Sequence, residues 1–167
     1  MASRSLDDLI PELKEKAIRH QELCKDAGIE IVFTCTARSV KEQIALYAQG
    51  RQELNEVNEL RRIAGLWPIS EEANQRKVTW TLNSRHLIDI EDVNLYNDKS
   101  RAYDIAIVRD AGGKVIWDLK ADVNENEVGD YEEAARLGES LGLTAGARFK
   151  SPDWVHFEWS RRGELNP

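Results

Sequence analysis

The chain has 167 residues, 41% of them apolar and 32% charged, with a formal net charge of -7. That length suits one domain and that composition a soluble globular fold, while the negative balance argues against non-specific binding to nucleic acid or anionic lipid. No apolar run is long enough to span a membrane, and "MASRSLDDLIPELKEK" lacks the apolar core of a signal peptide. A cytosolic chain without membrane insertion is therefore expected. Cys24 and Cys35 form no CxxC and no disulfide framework, so both read as reduced packing residues.

In chain order, "SLDDLIPELKEKAIRHQELCKDAG" opens with Ser5 as an N-cap and carries Leu6, Leu9, Leu13, Ala17 and Leu23 at roughly helical spacing. Gly28 is its natural stop. His20 on this helix reads as a solvated or partly packed residue without a role. "IEIVFTCTA" is short and β-branched, hence a strand. "RSVKEQIALYAQGR" reads as a helix stopping at Gly50, and "QELNEVNELRRIAGLWPISEEANQRK" as part helix, part surface loop. "VTWTL" and "RAYDIAIVRD" alternate like strands, and "GGKVIWDL" completes a hairpin-like pair through Gly112 and Gly113. "DYEEAARLGESLGL" is a helix ending near Gly142, and "WVHFEW" a closing strand. Interspersed helices and strands around a hairpin predict an α+β fold with an antiparallel sheet and flanking helices. No repeat, low-complexity tract or long linker divides the 1–167 span.

Chemistry concentrates in a few places. Catalytic zinc takes three protein ligands and keeps one position open. Among only three histidines, His86 in "NSRH" and His156 in "DWVH" lie beside carboxylates and aromatics, and Asp104 sits in the otherwise apolar strand "SRAYDIAIV". A carboxylate there is costly unless paired or metal-bound. Zinc on His86, Asp104 and His156 would meet that need; so would an ion pair from Asp104 to Arg85 or Arg101, with His156 as a hydrogen-bonded core residue. His86 and Asp104 stand 18 positions apart, which matches no short helical metal motif. Asp153, three residues before His156, can reach a zinc-activated water as general base only if the backbone is irregular, because i and i+3 face opposite ways in a strand. Pro152 permits such a transition. Otherwise Asp153 belongs to an ordinary Ser-Pro-Asp turn.

"SRH", "SRAYDI" and "DWVHFE" resemble, in order, the SxH…AxD…[DE]xxH pattern of the zinc peptidases that cut bacterial cell-wall peptides. "TARSVKEQIALYAQGR" and "VTWTLNSRH" resemble further segments of that family, and the likeness runs from about 31 to 159. Within it the chain resembles phage endolysins acting as L-alanyl-D-glutamate peptidases, with D,D-carboxypeptidases (VanY-like) as cousins of the same hedgehog/D,D-peptidase fold. The resemblance implies zinc on His86, Asp104 and His156, and Asp153 as general base. It further implies Arg38 binding substrate or stabilising charge at the scissile carbonyl, and Ser84 lining the site. On the residues alone, Arg38 would be a surface arginine at the start of a helix. The family's SxHxxGxAxD spacing is stretched here by "LIDIEDVNLYND", and Arg101 replaces the glycine before Ala102. Asp89 or Asp92 in that insertion could compete as a ligand, but "AYDI" keeps the strand context of Asp104.

A second metal is suggested by "DVNENEVGDYEE". With Asp122 as position 1, Asn124, Asn126, the Val128 carbonyl, Asp130 and Glu133 fall on the oxygen-ligand positions of an EF-hand loop. The resemblance supports calcium, since some endolysins of this family are regulated through such a loop. Against it, the position-6 glycine is Glu127 and no clear helix precedes the loop; the other reading is an acidic solvated turn.

The expected function is a zinc endopeptidase cutting the L-alanyl-D-glutamate bond of peptidoglycan stem peptides. It would be a monomer held in a host cytoplasm until a holin admits it to the wall. Alternatives are a D,D-carboxypeptidase or dipeptidase on D-alanine ends, a non-catalytic wall-binding module, or a calcium sensor without zinc.

Overall fold

The computed structural model of the chain describes residues 2–88, 99–109 and 112–160. Ser5 caps only a 3-10 turn, Leu6–Asp8, and the long helix α1 (Pro11–Asp26) begins afresh at its proline. This corrects the expectation of one helix running from Ser5. Pro11 has no amide hydrogen to donate inside a helix and fits only its first turn. Gly28 follows in the left-handed region at φ 84°, the conformation that terminates a helix at little cost for glycine. The next elements are β1 (Ile31–Cys35), β2 (Arg38–Ser39) and α2 (Val40–Ala48). Ser39 caps α2, its hydroxyl accepting from the Glu42 amide at 3.2 Å. The polar segment beyond Gly50 forms α3 (Leu54–Ile63) and the short α4 (Glu71–Asn74). There follow β3 (Leu87–Ile88), β4 (Ala102–Val108), β5 (Val115–Ile116), α5 (Asp130–Ser140), β6 (Thr144–Ala145) and β7 (His156–Glu158).

β4 is the axis of the sheet. β1 pairs with it antiparallel along one edge, while β7 takes residues 102–104 and β5 residues 107–108 of the other. β6 extends the sheet beyond β7, again antiparallel, whereas β2 and β3 make a separate parallel pair. The α+β class with an antiparallel sheet and flanking helices is as expected. All seven residues of β4 are buried, so both its faces are covered. Tyr103, Ile105 and Ile107 point into a core shared with Leu13 and Ala17 of α1 and Tyr131 and Ala134 of α5. Each fully buried side chain of this kind contributes about 1.5–3 kcal/mol relative to exposure. Alternation along the strand turns Asp104 to the opposite face.

Two expectations fail here. His20 is neither solvated nor peripheral: it is 0% exposed, with Nδ1 2.8 Å from the Tyr103 hydroxyl and Nε2 2.8 Å from the Ala134 carbonyl. A carbonyl can only accept, so Nε2 carries the proton and Nδ1 accepts from Tyr103. "VTWTL" is not a strand. Its backbone meets side chains of α2 and the turn after it instead of a neighbouring strand, with the Gln43 amide donating to the Thr81 carbonyl at 2.7 Å and Arg51 to the Thr79 carbonyl at 3.0 Å. Among the described residues no helix is long and apolar enough to cross a membrane.

Candidate metal centre

The sheet assembles the centre by register. Asp104 of β4 lies opposite Cys35 of β1 on one side and His156 of β7 on the other, so the three side chains form a row on one face. A bulge sets the first pairing: Phe33 opposes Ile105, but Cys35, not Thr34, opposes Asp104. The extra residue re-aims β1 beside the centre, a common use of bulges. His86 comes from the irregular segment before β3. Its amide donates to the Ser84 hydroxyl at 3.3 Å, and its carbonyl accepts from the Arg38 amide at 2.9 Å, which ties this segment to β2.

Three atoms converge. His86 Nε2 lies 3.0 Å from Asp104 Oδ1 and 3.2 Å from His156 Nδ1, and His156 Nδ1 lies 3.1 Å from Asp104 Oδ1. Ligand atoms on a tetrahedral ion with bonds of about 2.0–2.1 Å stand about 3.3 Å apart, so this triangle fits one face of such a site. The donor set of two imidazoles and a carboxylate suits zinc, and small adjustments would seat it. His86, Asp104 and His156 are thus brought together despite the 18 intervening positions; Asp89 and Asp92 lie outside the described residues.

Each of these groups has a partner behind it. His156 Nε2 donates to Glu158 Oε2 at 3.2 Å, which leaves the Nδ1 lone pair toward the other two donors. Arg38 Nη2 donates to Asp104 Oδ2 at 3.1 Å, so each carboxylate oxygen is engaged. The ion-pair partner of Asp104 is therefore Arg38, not Arg85 or Arg101. His86 Nδ1 lies 3.6 Å from Cys35 Sγ. Cys35, read from sequence as mere packing, belongs to the site: with His86 and Asp104 it offers a second, overlapping set of ligand atoms within 4.8 Å of one another. Its sulfur faces the ring nitrogen of His86 that points away from Asp104 and His156, and burial pushes the thiol up to about 12, so it remains protonated there. Cys24 sits in the core as expected.

The protonation equilibria of the three groups are displaced by one another and by burial. Burial pushes the Asp104 carboxyl up, but His86 and His156 outweigh it and hold the group below the usual carboxylate range. Burial pulls His156 down, yet hydrogen bonds to Asp104 and Glu158 and the charge of Asp153 raise it to about 9. His86 is lowered, by burial above all. Asp104 thus stays ionised and burial disfavours charge on His86, the forms in which a carboxylate and an imidazole ligate a metal.

The centre opens into a cleft that Arg38, Ser84 and Asp153 also line. Asp153 satisfies the condition of irregular backbone: the His156 amide donates to the Asp153 carbonyl at 3.2 Å across a turn, and β7 starts only at His156. An exposed carboxylate is thereby carried to the rim of the cleft beside His156. Cys35 and Glu158 are the site residues that sequence reading missed. Glu158 had a signal, since i and i+2 of a strand share a face. Cys35 had none, because it reaches the site through the bulge.

The acidic segment is ordered around its first residue. Asp122 accepts from the Asn126 amide at 3.0 Å and the Glu127 amide at 2.8 Å. Asn124 and Asn126 donate their side-chain amides to one Glu133 oxygen at 2.9 and 2.8 Å. Asp130, at the start of α5, accepts from the Val123 amide at 3.1 Å, and burial pushes its carboxyl up. Glu127, where an EF-hand loop has glycine, is in the left-handed region at φ 68°.

No family model matches the chain. The peptidoglycan L-alanyl-D-glutamate endopeptidase CwlK of Bacillus subtilis (strain 168) is 27% identical over 152 residues, covering 90% of this chain and 73% of that protein. The crystal structure of the Serratia marcescens L-Ala D-Glu endopeptidase ChiX aligns over 96% of this chain and 89% of its own, at 18% identity and a TM-score of 0.49.

Proposed function

We propose that this chain is a zinc-dependent endopeptidase that hydrolyses the L-alanyl-D-glutamate bond of peptidoglycan stem peptides. The observation that carries the reading is the meeting of His86 Nε2, Asp104 Oδ1 and His156 Nδ1 within 3.0–3.2 Å of one another at the floor of an open cleft. The similarity to an L-alanyl-D-glutamate endopeptidase over 90% of the chain supports the choice of bond. Phage origin and holin-dependent release belong to the same proposal and rest on the resemblance in "SRH", "SRAYDI" and "DWVHFE".

Bound by His86, Asp104 and His156, zinc would supply Lewis acidity toward the scissile carbonyl and lower the pKa of water to about 7. Asp153 then takes a proton from the attacking water as the C–O bond forms, and returns it to the departing D-glutamate nitrogen as the C–N bond breaks. Arg38 holds Asp104 and lines the cleft, where its planar fork can meet a substrate carboxylate or the charge developing on the carbonyl oxygen. Ser84 shapes the segment that delivers His86 and borders the same cleft.

Digestion of purified peptidoglycan followed by end-group analysis tests the assignment. New N-terminal D-glutamate supports it, whereas free D-alanine would transfer the chain to the D,D-carboxypeptidases. Asp153→Ala protein that keeps its zinc but still lyses walls at the wild-type rate would remove Asp153 from the role of general base, whereas zinc-loaded wild type that releases no new end groups would leave a binding module as the better reading.

A calcium ion in the 122–133 loop is a second part of the proposal. Two features favour it: the left-handed Glu127 at the position where the EF-hand turns, and the buried Asn124 Oδ1, which has no hydrogen-bond partner among the described residues. Rotation of the Asn124 and Asn126 amides would present their oxygens, with Glu133, to a cation. Calorimetry with calcium, on wild type and Asp122→Ala, decides: heat in the first alone supports the site, and no heat in either ends it.

A further inference from the structure

Residues 78–81 form a strap along one wall of the cleft, and the strap is fastened to α2 and the turn after it. Gln43, almost wholly buried, donates to the Thr79 hydroxyl at 3.1 Å and the Thr81 carbonyl at 2.7 Å. Arg51 donates to the Thr79 carbonyl at 3.0 Å and to the Tyr47 carbonyl at 2.6 Å. Gly50 lets the strap pass close by, for a β-carbon there would lie 2.7 Å from the Lys77 amide nitrogen. The backbone is thus held on both sides of residue 80, while large apolar side chains remain in solvent: Val78 is 51% exposed, Trp80 72% and Leu82 51%. The largest of them, Trp80, stands on the cleft wall with the Arg51 guanidinium 5.8 Å and the Lys77 ammonium 5.6 Å from its ring. Phe149 also lines the cleft, 5.8 Å from the His156 ring. An exposed indole on a fastened backbone in the cleft wall presents a flat apolar face to whatever occupies the cleft.

We propose that Trp80 is a specificity-determining residue that stacks on a sugar ring of the glycan strand bearing the stem peptide. This rests on the peptidase reading above and names the part of the substrate that lies next to the bond. The alanine of a stem peptide is amide-linked through its nitrogen to the lactyl group of a muramic-acid sugar, so in intact wall a pyranose ring lies within a few bonds of the scissile carbonyl. The axial C–H face of such a ring is apolar and carries slight positive charge, the complement of the negative face of an indole. Lys77, its ammonium 5.6 Å from the indole ring, stands where hydroxyls and carbonyls around that sugar can accept from it. A free peptide lacks the ring and loses this contact, which gives the wall polymer priority over peptide fragments already released.

The test compares two substrates, a disaccharide-linked stem peptide and the same peptide without sugar, on zinc-loaded wild type, Trp80→Ala and Trp80→Phe. Zinc content and thermal melting are measured on the same samples. The wild-type ratio of kcat/KM for linked over free peptide should fall about fivefold or more in Trp80→Ala, mainly through KM, and be largely kept in Trp80→Phe. An unchanged ratio overturns the inference and leaves the peptidase reading standing. A wild-type protein that cleaves neither substrate removes the peptidase reading and the inference with it. Concentration-dependent dimers of wild type that vanish in Trp80→Ala, with no change in the ratio, would assign the indole to contact with a second copy of the chain.

Discussion

The Asp153 amide donates to the Gly146 carbonyl at 2.9 Å, and the two backbones lie so close that a β-carbon on Gly146 would overlap the Asp153 carbonyl oxygen. The same added carbon would come within 2.9 Å of the His156 β-carbon. Gly146 is thus the floor on which the turn from Asp153 to His156 rests. Gly146→Ala should lift that turn, moving Asp153, the base of the proposed reaction, relative to the centre. A misplacement of about 1 Å can cost about 100-fold in rate, so kcat should fall to that extent while far-ultraviolet circular dichroism stays native. Near-wild-type turnover in a folded Gly146→Ala protein would show that the turn can yield.

Removal of metal gives a second prediction. The three donors come from β4, β7 and the segment before β3, so an ion held there ties together parts of the chain that are distant in sequence. Chelation should abolish wall hydrolysis and lower the melting temperature, and zinc should restore both where magnesium does not. Free zinc at a hundred times its dissociation constant adds about 2.7 kcal/mol to stability by mass action. Melting with and without chelator measures it.

Glu158 and Asp153 should separate in their effects. Glu158 orients His156 through Nε2, and loss of such a support typically weakens metal binding by about 10–100-fold. Glu158→Gln should therefore show weaker zinc affinity in competition with a chromophoric chelator, and activity recoverable at higher zinc. Asp153→Asn should bind zinc as wild type does and remain inactive at any zinc concentration. The reverse pattern would exchange their roles.

His20 predicts a pH dependence of stability independent of the metal centre. Burial holds its pKa down to about 4, opposed in part by the hydrogen bond to Ala134. In the unfolded chain the imidazole titrates near about 6.5. Between these values the unfolded state binds a proton that the folded state does not. The contribution is therefore complete above about 6.5, falls as pH drops toward the folded value, and changes no further below it. The loss amounts to ~3 kcal/mol across that window. Urea unfolding of wild type and His20→Gln at pH 7 and pH 4.5 checks it: the glutamine variant should start less stable and lose less on acidification.

The sequence carried much of this in its alternation. Asp104 within an apolar strand, His156 among aromatics and "SRH" before them were legible because each broke a local pattern that burial alone would have kept. Arg38 looked like an ordinary helix-start arginine, since nothing local reveals that its fork ends on a carboxylate 66 positions away. The same limit hid His20: a histidine on a polar helix gives no sign that Tyr103, Ala134 and Phe157 close over it. Cys35 escaped because a bulge cannot be read from propensity, and "VTWTL" misled because its alternation is genuine while its hydrogen-bond partners are side chains. Pro11, and Glu158 two residues after His156 on the same strand face, are local signals that the pattern did carry.

β4 places Tyr103 and Ile105 in the core and Asp104 between them toward the centre. Deleting or inserting a single residue in this strand would exchange the two sets, putting a carboxylate among hydrocarbons and a phenol ring where an ion should sit. Connections between strands can change length without disturbing this register, but the seven residues of β4 cannot. Hydrolysis and foldability would fail in the same mutational event.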